Sequence, residues 1–432
     1  MHPLVAFFLA LFGAACLWLL APAVRRRSGI LEFPFAAGCG MLGFLFPQAV
    51  GLAGNPDAAP RDGVVRALIM CTLCALAVYA GWHEPAPARW SAPPRTSYPV
   101  NRLYAAGLLA VGVGLAGFLK LASLSGGIAA YYSVGGNYGL EWRGLPVVYD
   151  FFALYLTPGL VLCGLAGLLL GGRLRLLPAA AALAVQLAGI VFLGRRALLV
   201  SVVASVGCLL YFGRNWTPRR RLLLCAAPLL ALAMFAAPEY RKHSQIGGDI
   251  ASLSDTNSGA LLGAAADAGQ HEFWAMANYI HATAADDQYE YGAGVYNVLV
   301  QLFVPKLLVG EAGKAGMMIP ARESPGGWQM PYGMVPTGAG SAYRQFWFLG
   351  CLWFYGISRL MRYLWMRAGA GDRIAQATYT FLLTPAVASV VNDMFAIYVP
   401  VFMFWIPLVV LTSVVFPGPW QARRPVPLGA CQ

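Results

Sequence analysis

The sequence predicts an all-α, polytopic membrane protein with about 11 transmembrane helices. Three observations predict it. Of 432 residues, 59% are hydrophobic and only 11% are charged, where soluble domains carry roughly 45–50% and 25%. That composition excludes a soluble enzyme of this length, and an aromatic share of 13% excludes a disordered chain. Apolar stretches long enough to cross a bilayer recur along the chain. Arginine is also distributed unevenly between alternate connections, as the positive-inside rule requires of a multi-pass protein.

In chain order, residues 3–24, 30–53, 64–82, 103–122, 147–171, 178–194, 197–213, 222–238, 344–364, 374–392 and 395–416 read as spans. No basic residue precedes the first, and Arg25, Arg26 and Arg27 follow it. A signal peptide has the reverse order. The first span is therefore expected to remain uncleaved, with its N-terminus outside. Alternation then places 25–29, 83–102, 172–177, 214–221, 365–373 and the C-terminal tail in the cytoplasm. Those segments and their flanks hold 18 of the 30 basic residues but only three of the 18 acids, Glu32, Glu84 and Asp372. The net charge of +12 thus orients helices and implies no nucleic-acid partner.

The opposite side carries a short turn at 54–63, a Gly- and Tyr-rich connection at 123–146 and a loop at 239–343. A loop that long exceeds what a connection needs. The chain divides into spans one to eight (1–238), the large outer loop (239–343), and spans nine to eleven with a short cytoplasmic tail (344–432). Within the loop, 293–309 is apolar but short, and reads as a re-entrant or interfacial segment. Residues 259–283 have a helix-compatible composition, and 311–341 are rich in Gly, Pro and Met. Eight of the nine cysteines lie in apolar stretches, so no disulfide framework is expected. The Cys71–Cys74 pair reads as small residues packing between helices.

Charged residues near spans gather at one level, the outer boundary: Lys120, Asp150, Arg195, Arg196, Arg241, Lys242, Arg344 and Asp393. Lys120 suits a snorkelling helix end, and the two aspartates suit capping or pairing. Arg195 and Arg196 in FLGRRALLV are harder to explain so simply, having almost no loop to solvate them. They form either an interhelical ion pair or an anion clamp, since guanidinium binds phosphate oxygens bidentately. The loop adds Arg241, Lys242 and His243, and then Lys306, whose apolar neighbours make it costly without a partner. Most loop acids read as solvated surface. Glu272, beside His271 in HEFWAMANYIH, is the exception, because an aromatic setting raises a carboxylate's pKa and suits a base.

There is no HExxH, GxSxG, P-loop or GxGxxG, and the five histidines lack metal-ligand spacing. No metal site and no cofactor are expected. No Asp-x-Asp pair supports a cation-dependent transferase using nucleotide sugars.

Taken in order, FLGRRALLV, YRKHSQIGG, HEFWAMANYIH, YEYGAGVYNVLVQLFVPKLLVGEAGK and MVPTGAGSAYRQFWFLG resemble the Wzy-type polysaccharide polymerases, the oligosaccharide repeat unit or O-antigen polymerases. The motifs cover about residues 190–360. Two features depart from the family pattern. Its Pro-Arg stands here as Pro305–Lys306, and no acid precedes the ninth span, where Ser341, Ala342, Tyr343 and Arg344 occur.

The resemblance implies a GT-C-like membrane glycosyltransferase in a bacterial inner membrane, acting on undecaprenyl-pyrophosphate-linked glycan as both donor and acceptor. It further implies membrane lipids, a flippase and a chain-length regulator as partners. On that basis Arg195, Arg196, Arg241, Lys306 and Arg344 would bind pyrophosphate, and Glu272, His271 or His243 would take the acceptor proton. Tyr131, Tyr132, Tyr138, Trp142, Trp274 and Tyr279 either stack on sugar rings or form an interfacial belt. An O-antigen ligase shares this donor and topology but uses a lipid A-core acceptor. A polysaccharide transporter or flippase would show repeats, broken helices and mid-membrane charge.

Overall fold

The computed structural model describes residues 1–55, 57–93, 98–134, 145–193, 196–218, 271–304, 306–320, 330 and 334–415. Among them there is no β-strand. Seven helices are long and apolar enough to cross a membrane: Pro3–Ala23, Phe33–Gly54, Arg61–His83, Val100–Leu124, Val148–Leu170, Arg173–Phe192 and Arg373–Val391. The chain is a multi-pass helical membrane protein. Large apolar side chains such as Phe7, Leu17, Trp18 and Leu119 are more than half exposed, as a lipid-facing surface would be and a soluble surface rarely is.

In chain order we label α1 (Pro3–Arg25), α2 (Phe33–Gly54, with a π-helical turn at Met41–Leu45) and α3 (Arg61–His83). Next come α4 (Val100–Leu124), α5 (Ile128–Val134), α6 (Leu145–Ala153), α7 (Leu156–Leu170), α8 (Leu177–Leu193) and α9 (Arg196–Arg214). The loop supplies α10 (Glu272–Ala285), α11 (Ala293–Phe303), α12 (Lys306–Met317) and α13 (Thr337–Phe346). The chain continues with α14 (Cys351–Gly369), α15 (Arg373–Val391) and α16 (Ile406–Val415).

Three of the expected spans differ from the other seven. Leu198–Arg214 and Met394–Val410 are helical but short. The stretch expected at 344–364 is two elements, because α13 ends at Phe346 and α14 starts at Cys351. Trp347, with φ of 53°, breaks the helix between them, and α14 carries Arg359, Arg362 and Arg367. The expected span at 222–238 lies outside the described residues.

Helices α3 and α15 form the centre: α1, α10 and α14 pack on α3, while α2, α9, α13 and α14 pack on α15. Cys71 and Cys74 are fully buried in α3, as packing residues should be. A second packing centre joins α4 to α7. There Gly107, Gly114 and Gly117 line one face of α4, and a Cβ on Gly107 would lie 2.6 Å from Cys163 Sγ. Small residues at this spacing let two helix backbones touch, which is how helices associate without water to drive them.

All three acids of the arginine-rich end are paired. Buried Glu32 meets Arg26 at 3.2 Å and accepts from Trp82 Nε1 at 3.1 Å. Glu84 pairs with Arg359 at 3.1 Å and Asp372 with Arg367 at 2.8 Å. Two of the pairs tie a helix end to its neighbouring connection, and Glu84–Arg359 joins the end of α3 to α14.

At the opposite end the large loop folds back into the bundle. Helix α10 presents Phe273, Met276, Ala277 and Ile280 to the core, all fully buried, at the i, i+3, i+4, i+7 spacing of one helical face. Helix α13 is almost entirely buried, from Thr337 to Gln345. The segments inserted in the core are therefore 272–285 and 337–346. The 293–309 stretch instead forms α11 and the start of α12, and its Tyr296, Phe303 and Leu308 point outward.

Candidate functional site

The latch between the loop's two inserted helices brings one ionised group together. Arg344, near the end of α13, meets Glu290 at 2.6 Å, and both side chains are largely buried at 14% and 16% exposure. Beneath the guanidinium lies the ring of Tyr279 from α10, 5.0 Å from its centroid. Glu290 also accepts from Gln345 Nε2, and its backbone N–H donates to the Arg344 carbonyl at 2.9 Å. Gln345 Oε1 in turn accepts from Gly294 N–H at 3.1 Å. Tyr289 reaches the hydroxyl of buried Tyr343 at 3.2 Å. Arg344 is thus a fixed cation, pinned by Glu290 and Tyr279, two residues distant from it in sequence.

Asp393 completes the group. It sits in the turn between α15 and Met394, where its carboxylate accepts from Phe395 N–H at 3.4 Å. Burial raises its pKa above the usual carboxylate range, against the opposing hydrogen bonds from Ser341, Phe395 and Met394. Tyr279 feels the whole constellation. Burial pushes its phenol up to about 12, with Arg344 pulling it down and Glu290 and Asp393 pushing it up.

Backbone strain gathers around the same place. Of the five non-glycine residues with positive φ among those described, four border this site: Asp287, Tyr291, Thr337 and Trp347. Such residues persist only where the surroundings hold them, and they concentrate at functional sites. Thr337 is β-branched and fully buried, so its φ of 59° is costly.

Beside Glu290 opens a groove of about 450 Å³, lined by Tyr289, Tyr291, Gly292, Tyr296, Asn297 and Ile319 among others. Asn297 clasps its far wall, donating to the Ile319 carbonyl at 2.8 Å and accepting from its N–H at 2.9 Å.

The other expected site residues fall elsewhere. Glu272 opens α10, with His271 as the preceding N-cap residue, and Gln48 Nε2 donates to the Glu272 carboxylate at 3.1 Å. Gln48 Oε1 also accepts from Phe273 N–H at 2.9 Å, so this glutamine anchors the start of α10 to α2. Seven residues of helix, roughly 10 Å, separate Glu272 from Tyr279. Lys306 is 63% exposed rather than embedded, and pairs at 2.7 Å with Glu311. The hydrogen bond and charge of Lys306 hold the Glu311 pKa below its usual value.

Tyr131 and Tyr132 are buried with Phe118 and Phe192, so their faces are already occupied by protein. Trp274 donates to the Ala58 carbonyl at 2.7 Å. Lys120 is exposed near the C-terminal end of α4. Arg196 opens α9. Arg195, Arg241 and His243, like Tyr138 and Trp142, lie outside the described residues. Among the described residues no three His, Cys, Asp or Glu side chains converge as a metal site would need.

Glu290 and Asp393 are the members that sequence reasoning undervalued. Glu290 sat among loop acids taken as surface, although its Tyr-Glu-Tyr-Gly context marked it. Comparison with known protein families, curated proteins and solved structures finds no match.

Proposed function

We propose that this chain is a membrane glycosyltransferase that polymerises undecaprenyl-pyrophosphate-linked repeat units at the periplasmic face of a bacterial inner membrane. The observation that supports this most directly is convergence. Three segments carrying the resemblance, 271–281, 289–297 and 337–346, pack around Arg344 although their sequence spans more than 70 residues. The arginine-rich end is then cytoplasmic and the loop helices periplasmic.

In the proposed reaction the acceptor hydroxyl attacks the anomeric carbon of the donor sugar. The bond from that carbon to the pyrophosphate oxygen breaks, and its electron pair leaves with the phosphate. The proton of the acceptor passes to a carboxylate. Arg344 stabilises the phosphate's developing charge from a fixed position, which costs no reorganisation during the reaction. Asp393 is the better-placed base, since a raised pKa suits proton acceptance and Glu272 is engaged by Gln48.

A base must be ionised to work, and burial makes Asp393 ionise only above the usual carboxylate range. Activity should therefore fall on acidification at a pH higher than an ordinary carboxylate would give. Initial rates in proteoliposomes across pH read this limb, which Asp393→Asn should abolish along with most of the rate. An unchanged acid limb in that variant would remove Asp393 from the role.

The function is tested by deleting the gene and running lipid-linked and surface glycans on one sizing gel. Single repeats with no ladder are expected. Long chains held on the carrier lipid would instead make the protein a ligase. Repeats trapped on the cytoplasmic side would make it a flippase, and an unchanged gel would end the glycan reading.

A further inference from the structure

We propose that the groove beside Glu290 is a pyranose-binding subsite, seating a sugar ring of the glycan against the exposed faces of Tyr291 and Tyr296. Its assignment to the glycan being extended rests on the polymerase reading; its affinity for a sugar ring does not.

The groove's shape is the first ground. At about 450 Å³ it falls within the range of small-ligand sites, and Glu290, the ion-pair partner of Arg344, is part of its lining. A sugar against Glu290 would therefore lie one side chain away from Arg344, a group suited to hold a phosphate.

Its lining is the second ground. Tyr291 is 70% exposed and Tyr296 46%, so neither ring is used to build the core. Tyr291 is also held at φ of 47°, a conformation that glycine or asparagine adopts with little strain and tyrosine does not. Keeping a tyrosine there places an aromatic ring in the groove at a conformational cost. A pyranose has one face of C–H groups, which suits the negative face of an aromatic ring. Its hydroxyls suit the Glu290 carboxylate in the lining.

Other occupants fit less well. An acyl chain would offer no hydrogen-bonding group to the Glu290 carboxylate or to the tyrosine hydroxyls of the lining. A phosphate is disfavoured because none of the described lining residues is basic. Asn297 acts as a positioning residue, since its two hydrogen bonds to Ile319 hold the far wall in place.

The test uses purified full-length protein in detergent and a panel of methyl glycosides of common hexoses and N-acetylhexosamines. Saturation-transfer NMR reads contact with the ring protons. At least one glycoside is expected to give a signal with the wild type. The double variant Tyr291→Asn/Tyr296→Ala should bind it about tenfold more weakly, the factor that 1.4 kcal/mol of lost contact produces. Asparagine tolerates the left-handed backbone and both side chains are exposed, so the fold should be kept, and matching melting curves would verify it. Tyr296→Phe keeps the ring and should keep the signal.

In cells, the double variant should shorten the glycan ladder without removing it. A signal that survives the double variant, or no signal from any glycoside, would overturn the proposal. The polymerase reading fails separately, through an unchanged gel on gene deletion.

Discussion

Arg344→Ala is expected to reduce chain extension by about 10²–10³-fold, leaving single repeats on the carrier lipid. The argument runs from the pinning of the guanidinium. Glu290 at 2.6 Å and the Tyr279 ring at 5.0 Å fix its position, so its charge is already in place when the leaving phosphate gathers electrons. The same substitution leaves Glu290, only 16% exposed, without its cation. Breaking such a pair costs on the order of 3 kcal/mol. Loss of fold could therefore imitate loss of catalysis. Arg344→Lys separates them, since it keeps the charge that Glu290 needs but loses the planar fork that grips a phosphate. Its melting temperature in detergent should stay near wild type while its initial rate in proteoliposomes falls at least about tenfold. An Arg344→Lys protein that melts normally and extends chains at full rate would refute the clamp.

The class of fold was legible because long continuous apolar runs decide it: in a membrane such runs satisfy their backbone as helices. The finer divisions were legible only where hydropathy follows structure. From Thr337 to Gln345, helix α13 is made of Thr, Gly, Ala, Ser, Tyr, Arg and Gln, which no hydropathy window reads as buried, yet it is inserted in the core. The 293–309 segment differs, since its large apolar residues Tyr296, Phe303 and Leu308 face outward. In both cases shape outweighs transfer energy: small residues permit close packing, whereas large apolar ones accept lipid equally well.

The site was legible in part for a related reason. Arg344 could be singled out, because an arginine opening an apolar stretch is conspicuous. Glu290 could not be paired with it, because the contact spans 54 residues and no local pattern encodes it. Glu272 was singled out for its aromatic neighbours, but Gln48, from a different span, engages its carboxylate.

Gly338→Ala is expected to cause the largest structural loss, at least about 3 kcal/mol, the upper end of what overpacking costs. A Cβ at Gly338 would collide with the backbone carbonyl of Ser389 on α15. Backbone cannot rotate away as a side chain can, so α13 and α15 would have to separate. Ser389 is fully buried, and its hydroxyl bridges the Pro385 carbonyl at 3.0 Å and the Ile397 N–H at 3.0 Å. Displacing it would therefore also shift the turn that carries Asp393, and activity should fall with stability. Gly340→Ala is the internal control. Its Cβ would meet Met276 Cγ at 3.0 Å, the flexible side chain of a residue that can move, and alanine favours the helix by up to about 1 kcal/mol. The two variants differ by two positions on one helix, so expression yield and melting in the same detergent compare them directly. Wild-type melting of Gly338→Ala together with collapse of Gly340→Ala would show that α13 does not pack on α15 by its Gly338 face, and the placement of Arg344 near Asp393 would fall with it.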